Sequence, residues 1–471
     1  MIIVLRLVPT MLLAIGLLGC ATGKQPDMPD LLLPAVYSAA GSSGFLPAAE
    51  PDTCWTSYGD AQLQLLVERA LEGGVDARLA LARLEEARAV RAQAVTVYDP
   101  QGRVQGSAER TQSRSLGDDP SPPVAQARNL ALPISWEIDL FGRRSAARDA
   151  ADADLAAARF AYEASRSSLA AQVAQTLFEA RGLTVQLEDA RANERIQGEL
   201  LDLIERRFER GLAAGSDADR VGAELARSRA QRMALEADLY AARRALLVLT
   251  GRGLLPVDDL QLGDTLEEPP AMPDAVPGDL LRRRPDVREA RARIDSASAS
   301  VRLAELDFFP TLTLHPSLGL SQQRGSINTS LSFWTLGLGL DIPVLDRPRL
   351  RAALDLQGAR VDQALIRYET AVQTAFAEAD RAFVRLRAAQ QRVEILNAGE
   401  VRARRAFDAT HIRYRRGLGD LQTLLDAEAA WRATRSALTT ARLDRLLQSV
   451  QTFKALGGGW SPSTSPSRSS S

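Results

Sequence analysis

The sequence predicts a mainly α-helical molecule with a small β part, built from one unit written twice. Three observations carry this. Two proline-free stretches of 68 residues each, Arg143 to Arg210 and Arg349 to Arg416, are too long for the helices of a compact domain. The hydrophobic period changes from 3.6 to 2 between the helical stretches. Several landmarks recur in the same order at an offset of about 210 residues.

The composition agrees and excludes several functions. The 471 residues carry 58 Lys+Arg against 59 Asp+Glu, so no net basic field points to nucleic acid. Aromatics are only 5% and the helical stretches are crowded with Ala, Leu, Arg and Glu, the composition of long helices. Two Cys cannot staple a fold of this size, and His315 and His411 lie too far apart in sequence to suggest a metal-ligand cluster. No GxSxG, Walker A loop, GxGxxG or HExxH is present, so hydrolase, nucleotidase, dehydrogenase and metalloprotease readings start without support. No cofactor and no metal site is expected.

The duplication is read from paired landmarks. Asp76, Ala80 and Arg83 match Asp286, Ala290 and Arg293 at a constant offset of 210, and Tyr98-Asp99-Pro100 matches Phe308-Phe309-Pro310. Arg207-Phe-Glu-Arg-Gly-Leu212 matches Arg413-Tyr-Arg-Arg-Gly-Leu418 at an offset of 206. Ile138-Asp-Leu-Phe-Gly-Arg143 and Ile342-Pro-Val-Leu-Asp-Arg347 fall in corresponding places. Each copy then reads as helix, two strands, very long helix, tight turn and return helix.

A continuous 68-residue helix would run about 100 Å. The second long helix keeps a heptad: one seam is Leu354, Val361, Tyr368, Ala375, Ala382, Ala389 and Leu396. The other is Gly358, Leu365, Val372, Ala379, Leu386 and Val393. Seven-residue spacing implies a left-handed supercoil, and Ala at the seams implies close approach. Phe376 and Phe383 widen the stripe, as in a stave of a closed ring; a plain two-stranded coiled coil is the alternative. Gly211 and Gly417 fit left-handed positions at helix ends, starting return helices at about Asp217 and Asp420.

The strands alternate. Leu130, Leu132, Ile134, Trp136 and Ile138 share one face, and Leu312, Leu314, Leu318 and Leu320 another set. Leu336, Leu338, Leu340 and Ile342 follow Leu331 and Phe333 in the opposite register, which predicts a bulge near Trp334. Apolar-out, polar-in segments of about 10 residues suit a membrane barrel; a soluble sheet capping a bundle is the alternative. Four strands cannot close a barrel, since the smallest have about 8, and open edges are not tolerated in hydrocarbon. A membrane sheet therefore demands a homo-oligomer with four strands from each chain.

The N-terminus reads as an address. Arg6 precedes an apolar run, Leu7 to Leu18, too short for a spanning helix and suited to a signal peptide over residues 1–19. Leu17-Leu18-Gly19-Cys20 resembles a bacterial lipobox, which would leave Cys20 as a lipid-bearing first residue; an ordinary signal peptide containing a Cys is the alternative. Ala21, rather than Asp, after Cys20 favours the outer membrane. Residues 20–51 read as a lipid-anchored tether and residues 461–471 as a disordered tail.

With these residues in hand the chain resembles the TolC/OprM-like outer-membrane efflux channels, in their lipoprotein (NodT-type) branch. The resemblance runs from about Trp55 to Trp460. It rests on Trp136-Glu-Ile-Asp-Leu-Phe-Gly142, Pro277-Gly-Asp-Leu-Leu-Arg-Arg-Arg-Pro-Asp-Val287, Phe308-Phe-Pro-Thr-Leu312 and Ala455-Leu-Gly-Gly-Gly-Trp460. It implies two efflux repeats, 52–260 and 279–460, joined by a linker at 261–278. It also implies a homotrimer in which a long α-helical barrel continues a transmembrane β-barrel of twelve strands. The implied activity is passive export of drugs, toxins or metabolites, with a periplasmic adaptor (membrane fusion) protein and an inner-membrane pump as partners.

The closed end would lie near Gly211 and Gly417. Asp420-Leu-Gln-Thr-Leu-Leu-Asp426 resembles the aperture segment, and Gln422 and Asp426 lie four apart on one helix face. Copy one's turn is two residues longer, which leaves Asp217 and Asp219 as its candidate aperture residues. The chain departs from the family in Asp346-Arg347-Pro348, where a Gly is common. A periplasm-spanning coiled-coil lipoprotein with structural or adaptor duties is the alternative function, though a plain spacer needs no strands.

Overall fold

The computed structural model describes residues 33–34, 37, 55–114, 124–263, 265–271, 277–325 and 328–458. Cys20, the signal segment, all of the tether but three positions, and the tail lie outside them. The elements in order are α1 (Ala61–Gly73), α2 (Val75–Thr96), β1 (Gln101–Gly102), β2 (Gln105–Thr111), β3 (Ala125–Ile138), α3 (Arg143–Glu209) and α4 (Gly215–Leu249). There follow α5 (Leu280–Arg283), α6 (Pro285–Leu306), β4 (Thr311–Arg324), β5 (Thr329–Asp341), α7 (Arg347–Arg415) and α8 (Leu421–Ala455). The two long helices, 67 and 69 residues, fall within two residues of the predicted spans. Among the described residues no helix is long and apolar enough to cross a membrane.

The chain divides into two compact units, each drawing on both halves of the sequence. One holds residues 85–158 and 290–368, including the whole sheet. β3 pairs with β4 and β4 with β5, all antiparallel, while β1 and β2 share the other edge of β3. The gaps have a cause. Pro133 has no N–H to give, and the β1/β2 ladder is interrupted opposite it; Pro316 interrupts the β3–β4 ladder in the same way, between Ser317 and Leu314. The predicted bulge near Trp334 is absent: Leu318 faces Trp334 in a register unbroken from Thr311–Asp341 to Gln323–Thr329. The polarity of the strand switches there while its backbone does not.

The junction between sheet and helix explains the recurrent landmarks. The Asp139 carboxylate accepts from the backbone N–H of Gly142, Arg143 and Arg144 (2.7, 2.9 and 3.1 Å), satisfying the orphan donors that start α3. Phe141 packs on Phe309 with centroids 5.0 Å apart. Arg143 pairs with Asp307 at 2.7 Å and Arg144 with Asp99 at 2.7 Å. Landmarks from both copies thus meet at one corner.

The other unit holds residues 159–289 and 369–458 together with the described positions up to and including Leu84. Its core joins α1 (Leu63, Leu66, Val67, Ala70), α3 (Leu169, Val173, Ala174, Leu177), α4 (Leu246) and α8 (Leu446, Val450). Buried Ala and Val recur along both predicted seams of α7, at Ala375, Ala382 and Ala389 and at Val372, Ala379 and Val393. Tyr37, in the tether segment, is buried, its ring stacked on Phe376 and 5.1 Å from Phe383, so the widened stripe of α7 has an occupant. Asp60 caps α1 through the N–H of Gln62 and Leu63 and is held by both guanidinium nitrogens of buried Arg181.

Two of the motifs that carry the resemblance close on one another in this unit. Arg284, in the triple-arginine segment, pairs with Asp286 (2.6 Å) and Glu378 (2.7 Å) and donates to the Ala455 carbonyl at the end of α8. Gly457, at φ +72, ends α8 with the N–H of Gly457 and Gly458 bonded to the Lys454 and Phe453 carbonyls. A Cβ on Gly457 would lie 3.0 Å from the backbone of Arg283 and Arg284. Glycine stands at 457 because backbone meets backbone there.

Candidate functional site

The candidate site is the pair of turns that join the long helices to their return helices. At Gly211 (φ +69) and Gly417 (φ +74) the chain leaves each long helix, and the next residue donates back five positions: Leu212 to Arg207, Leu418 to Arg413. Both ends use the left-handed cap that glycine adopts without a Cβ penalty. The starts of the return helices differ. α8 is capped by Asp420, whose carboxylate accepts from the Thr423 N–H and hydroxyl at 2.8 Å each, and these bonds hold it below the usual carboxylate range. α4 follows Ala214, which offers no side-chain cap.

Gln422 and Asp426 come together as their spacing requires. The Gln422 amide donates to both Asp426 oxygens (2.8 and 2.9 Å), and the Gln422 carbonyl accepts from Arg220 on α4. Both residues are exposed. Asp217 is half-buried and Asp219 exposed, and among the described residues neither side chain has a hydrogen-bond or ion-pair partner. The copy-one side chain that hydrogen-bonds to Gln422 is therefore Arg220, a residue absent from the sequence-based candidates. Its adjacency to Asp219 was the available signal.

Beneath the turns lies an apolar cluster of Leu200, Ile204, Val221, Phe407, Tyr414, Leu424 and Trp431. Phe407 stacks between His411 and Trp431 (5.7 and 5.0 Å), and Trp431 donates its indole N–H to Glu400 at 3.0 Å. Inside this packing sit two polar groups. Gln197 is 0% and Glu428 1% exposed, and the amide of one donates to the carboxylate of the other at 2.8 Å. Arg432 lies 3.6 Å from Glu428 and 3.9 Å from Glu224. Burial pushes the Glu428 carboxyl above its ordinary range; Arg432 and Gln197 pull the other way, and Glu224 adds to the rise. This pair was legible but unread: Ala190, Gln197 and Ile204 are seven apart, so Gln197 occupies a seam position.

The sheet presents the second candidate surface. The pairing puts Leu130, Leu132, Ile134, Trp136 and Ile138, then Leu312, Leu314, Leu318 and Leu320, then Trp334, Leu336, Leu338 and Leu340 on one face. Most are open to solvent, with Trp334 78% and Leu338 65% exposed. Along β4 the apolar run from Leu312 to Leu320 measures about 26 Å. The opposite face carries Asn129, Ser135, Glu137, Thr313, His315, Ser317 and Asp341, with Leu331 and Phe333 near its loop end. Among the described residues no group of three or more His, Cys, Asp or Glu could hold a metal ion.

Known proteins resemble this chain over most of its length. Residues 66–252 and 276–458 match the model of the family described as outer membrane efflux protein. The pyoverdine export outer membrane protein OpmQ of Pseudomonas aeruginosa is 30% identical over 94% of this chain and 95% of its own length. The outer membrane protein OprJ of the same organism is 29% identical over 96% of each. Among solved structures the outer-membrane channel OprN superposes with a TM-score of 0.81 at 30% identity, covering 93% of this chain and 99% of that one.

Proposed function

Because this chain belongs to the outer membrane efflux protein family, and is an efflux channel protein of the outer membrane, we propose how it builds its duct: three copies close a twelve-stranded barrel, and the helix turns form its aperture. The observation that carries this is the two-faced sheet with two open edges. Exposed Leu and Trp on one face suit hydrocarbon, and unpaired edges in hydrocarbon must be closed by further strands. The described strands occupy four positions across the sheet, with β1 and β2 sharing one. Two copies would give eight strands, whose interior side chains fill; three give twelve and leave a lumen.

The polar face then lines the lumen, and the chain acts as a passive exit. A periplasmic adaptor and an inner-membrane pump deliver the cargo. Cys20, matured to a lipid-bearing N-terminus, anchors each copy, and buried Tyr37 fixes the tether to α7. At the turns, Gln422 and Asp426 from three copies ring the opening, held by Arg220.

Planar-bilayer recording on the purified oligomer tests this. The protein is expected to conduct, with a preference for cations set by Asp426. One carboxylate about 7 Å from a passing cation is worth about 0.6 kcal/mol in water, roughly a threefold effect. Asp426→Asn should lower the cation-to-anion permeability ratio by about threefold or more as three charges leave. A heat-labile trimer that never conducts overturns the duct; an unchanged ratio removes Asp426 from the aperture.

A further inference from the structure

The charged residues of the sheet are sorted by face. In the described strands the carboxylates are Glu109, Glu137 and Asp341, all on the polar face. The arginines are Arg110, Arg128 and Arg324, all on the apolar face. They occupy its loop end only. The last apolar row there pairs Gly106, Leu130 and Leu320 with Ser332; the next runs Ala108, Arg128, Gln322 and Ser330. The row after that is Arg110, Gln126 and Arg324.

All three arginines are exposed, and none has an ion-pair partner among the described residues. Arg110 and Arg324 flank Gln126 across two strand spacings, about 10 Å apart, with Arg128 diagonal to both. Three guanidiniums so placed can hold two phosphates at once, because each presents a fork matched to phosphate oxygens. A lumen-facing cluster would meet water and cargo; this one continues the hydrocarbon face past its edge, at the end away from the helices.

We propose that Arg110, Arg128 and Arg324 form a docking site for the phosphorylated headgroup of lipid A, the glycolipid of the outer leaflet. The site rests on the membrane-barrel reading given above. It sets the depth of the sheet: hydrocarbon meets the Leu rows, and the headgroup phosphates meet the arginine rows.

The test uses the full-length oligomer in micelles, titrated with bis-phosphorylated lipid A and read by native mass spectrometry. Wild type is expected to bind lipid A, and R110Q/R128Q/R324Q to bind it roughly 100-fold more weakly. R110K/R128K/R324K, which keeps the charge and loses the fork, should bind with an affinity between those of wild type and the glutamine variant. Dephosphorylated lipid A should bind wild type as weakly as lipid A binds the glutamine variant. Equal binding of lipid A by wild type and the glutamine variant overturns the proposal. So does inorganic phosphate occupying the arginines as well as lipid A does, since the lipid source would then be wrong. Conductance in phosphatidylcholine bilayers free of lipid A separates the two readings. A wild-type protein that never inserts removes the membrane barrel and this site with it. Equal conductance of both proteins, with equal lipid A binding, removes only the headgroup site.

Discussion

Glu428 and Asp60 are both buried carboxylates in helical packing, and their surroundings push them in opposite directions. Burial would raise Asp60, but the Arg181 guanidinium and the N–H groups of Leu63 and Gln62 outweigh it and hold the group below its ordinary value. Its contribution to stability is present above that ordinary value and is lost as pH falls through the depressed one. Glu428 shows the converse: burial dominates, and Arg432 and Gln197 recover only part of the cost. Glu428 Oε2 and Gln197 Oε1 are both buried without a hydrogen-bond partner, so a proton on the carboxyl would turn one of two excess acceptors into a donor. The Glu428 contribution is therefore full below its ordinary value of 4.5 and is lost as pH rises through the raised one. Glu428→Gln, which keeps the acceptor for Gln197 and removes the buried charge, should raise the melting temperature at pH 8 and change it little near pH 4. Thermal unfolding of both proteins across this range checks it. Equal melting temperatures at pH 8 would mean that Arg432 already offsets the buried charge.

At the scale of elements, the helices were legible because period and punctuation agreed. A proline-free stretch runs between Asp139-Leu-Phe-Gly142 and Gly211, and the observed ends of α3 lie where those residues cap it. The bulge predicted near Trp334 is absent because a switch of polarity along one strand does not report on its backbone. Ser330 and Ser332 stand on the same face as Leu336, in unbroken register, because the apolar band ends before the strand does. Pairing across strands, which one strand's sequence does not contain, was needed to see this. The glycine caps share a left-handed backbone and differ in their surroundings. Gly211 has open space where a Cβ would go, whereas Gly457 has the Arg283 and Arg284 backbone at 3.0 Å. Gly211→Ala should cost only the left-handed penalty, about 1–2 kcal/mol. Gly457→Ala adds a displacement of the segment that holds Arg284 against Glu378 and should cost more. Chemical denaturation of the two variants measures the difference, and equal losses would mean that the motif serves the turn alone.

At the scale of the whole molecule, the function turns on which face of the sheet meets lipid. The apolar face could not have been assigned from β2, where Gln105, Ser107 and Glu109 alternate with Gly106, Ala108 and Arg110 and neither set is apolar. It becomes evident only when β3, β4 and β5 are aligned and their Leu and Trp rows coincide. Adjacent residues of β4 give the sharpest test. Leu318 sits between Leu132 and Trp334 in the middle of the apolar band; Ser317 sits between Pro133 and Thr335 on the other face. An arginine at the bilayer midplane of a β-barrel costs about 2–4 kcal/mol, and symmetry would repeat that cost in every copy. Leu318→Arg should therefore abolish assembly in the outer membrane. Ser317→Arg places the same charge on the face that the proposed barrel turns to its lumen, where water would solvate it, and should leave assembly intact while shifting selectivity toward anions. Membrane fractionation, heat-lability of the oligomer and bilayer recording distinguish the two. Loss of assembly in Ser317→Arg with normal assembly in Leu318→Arg would mean that the polar face meets lipid, and the barrel would have to be drawn inside out.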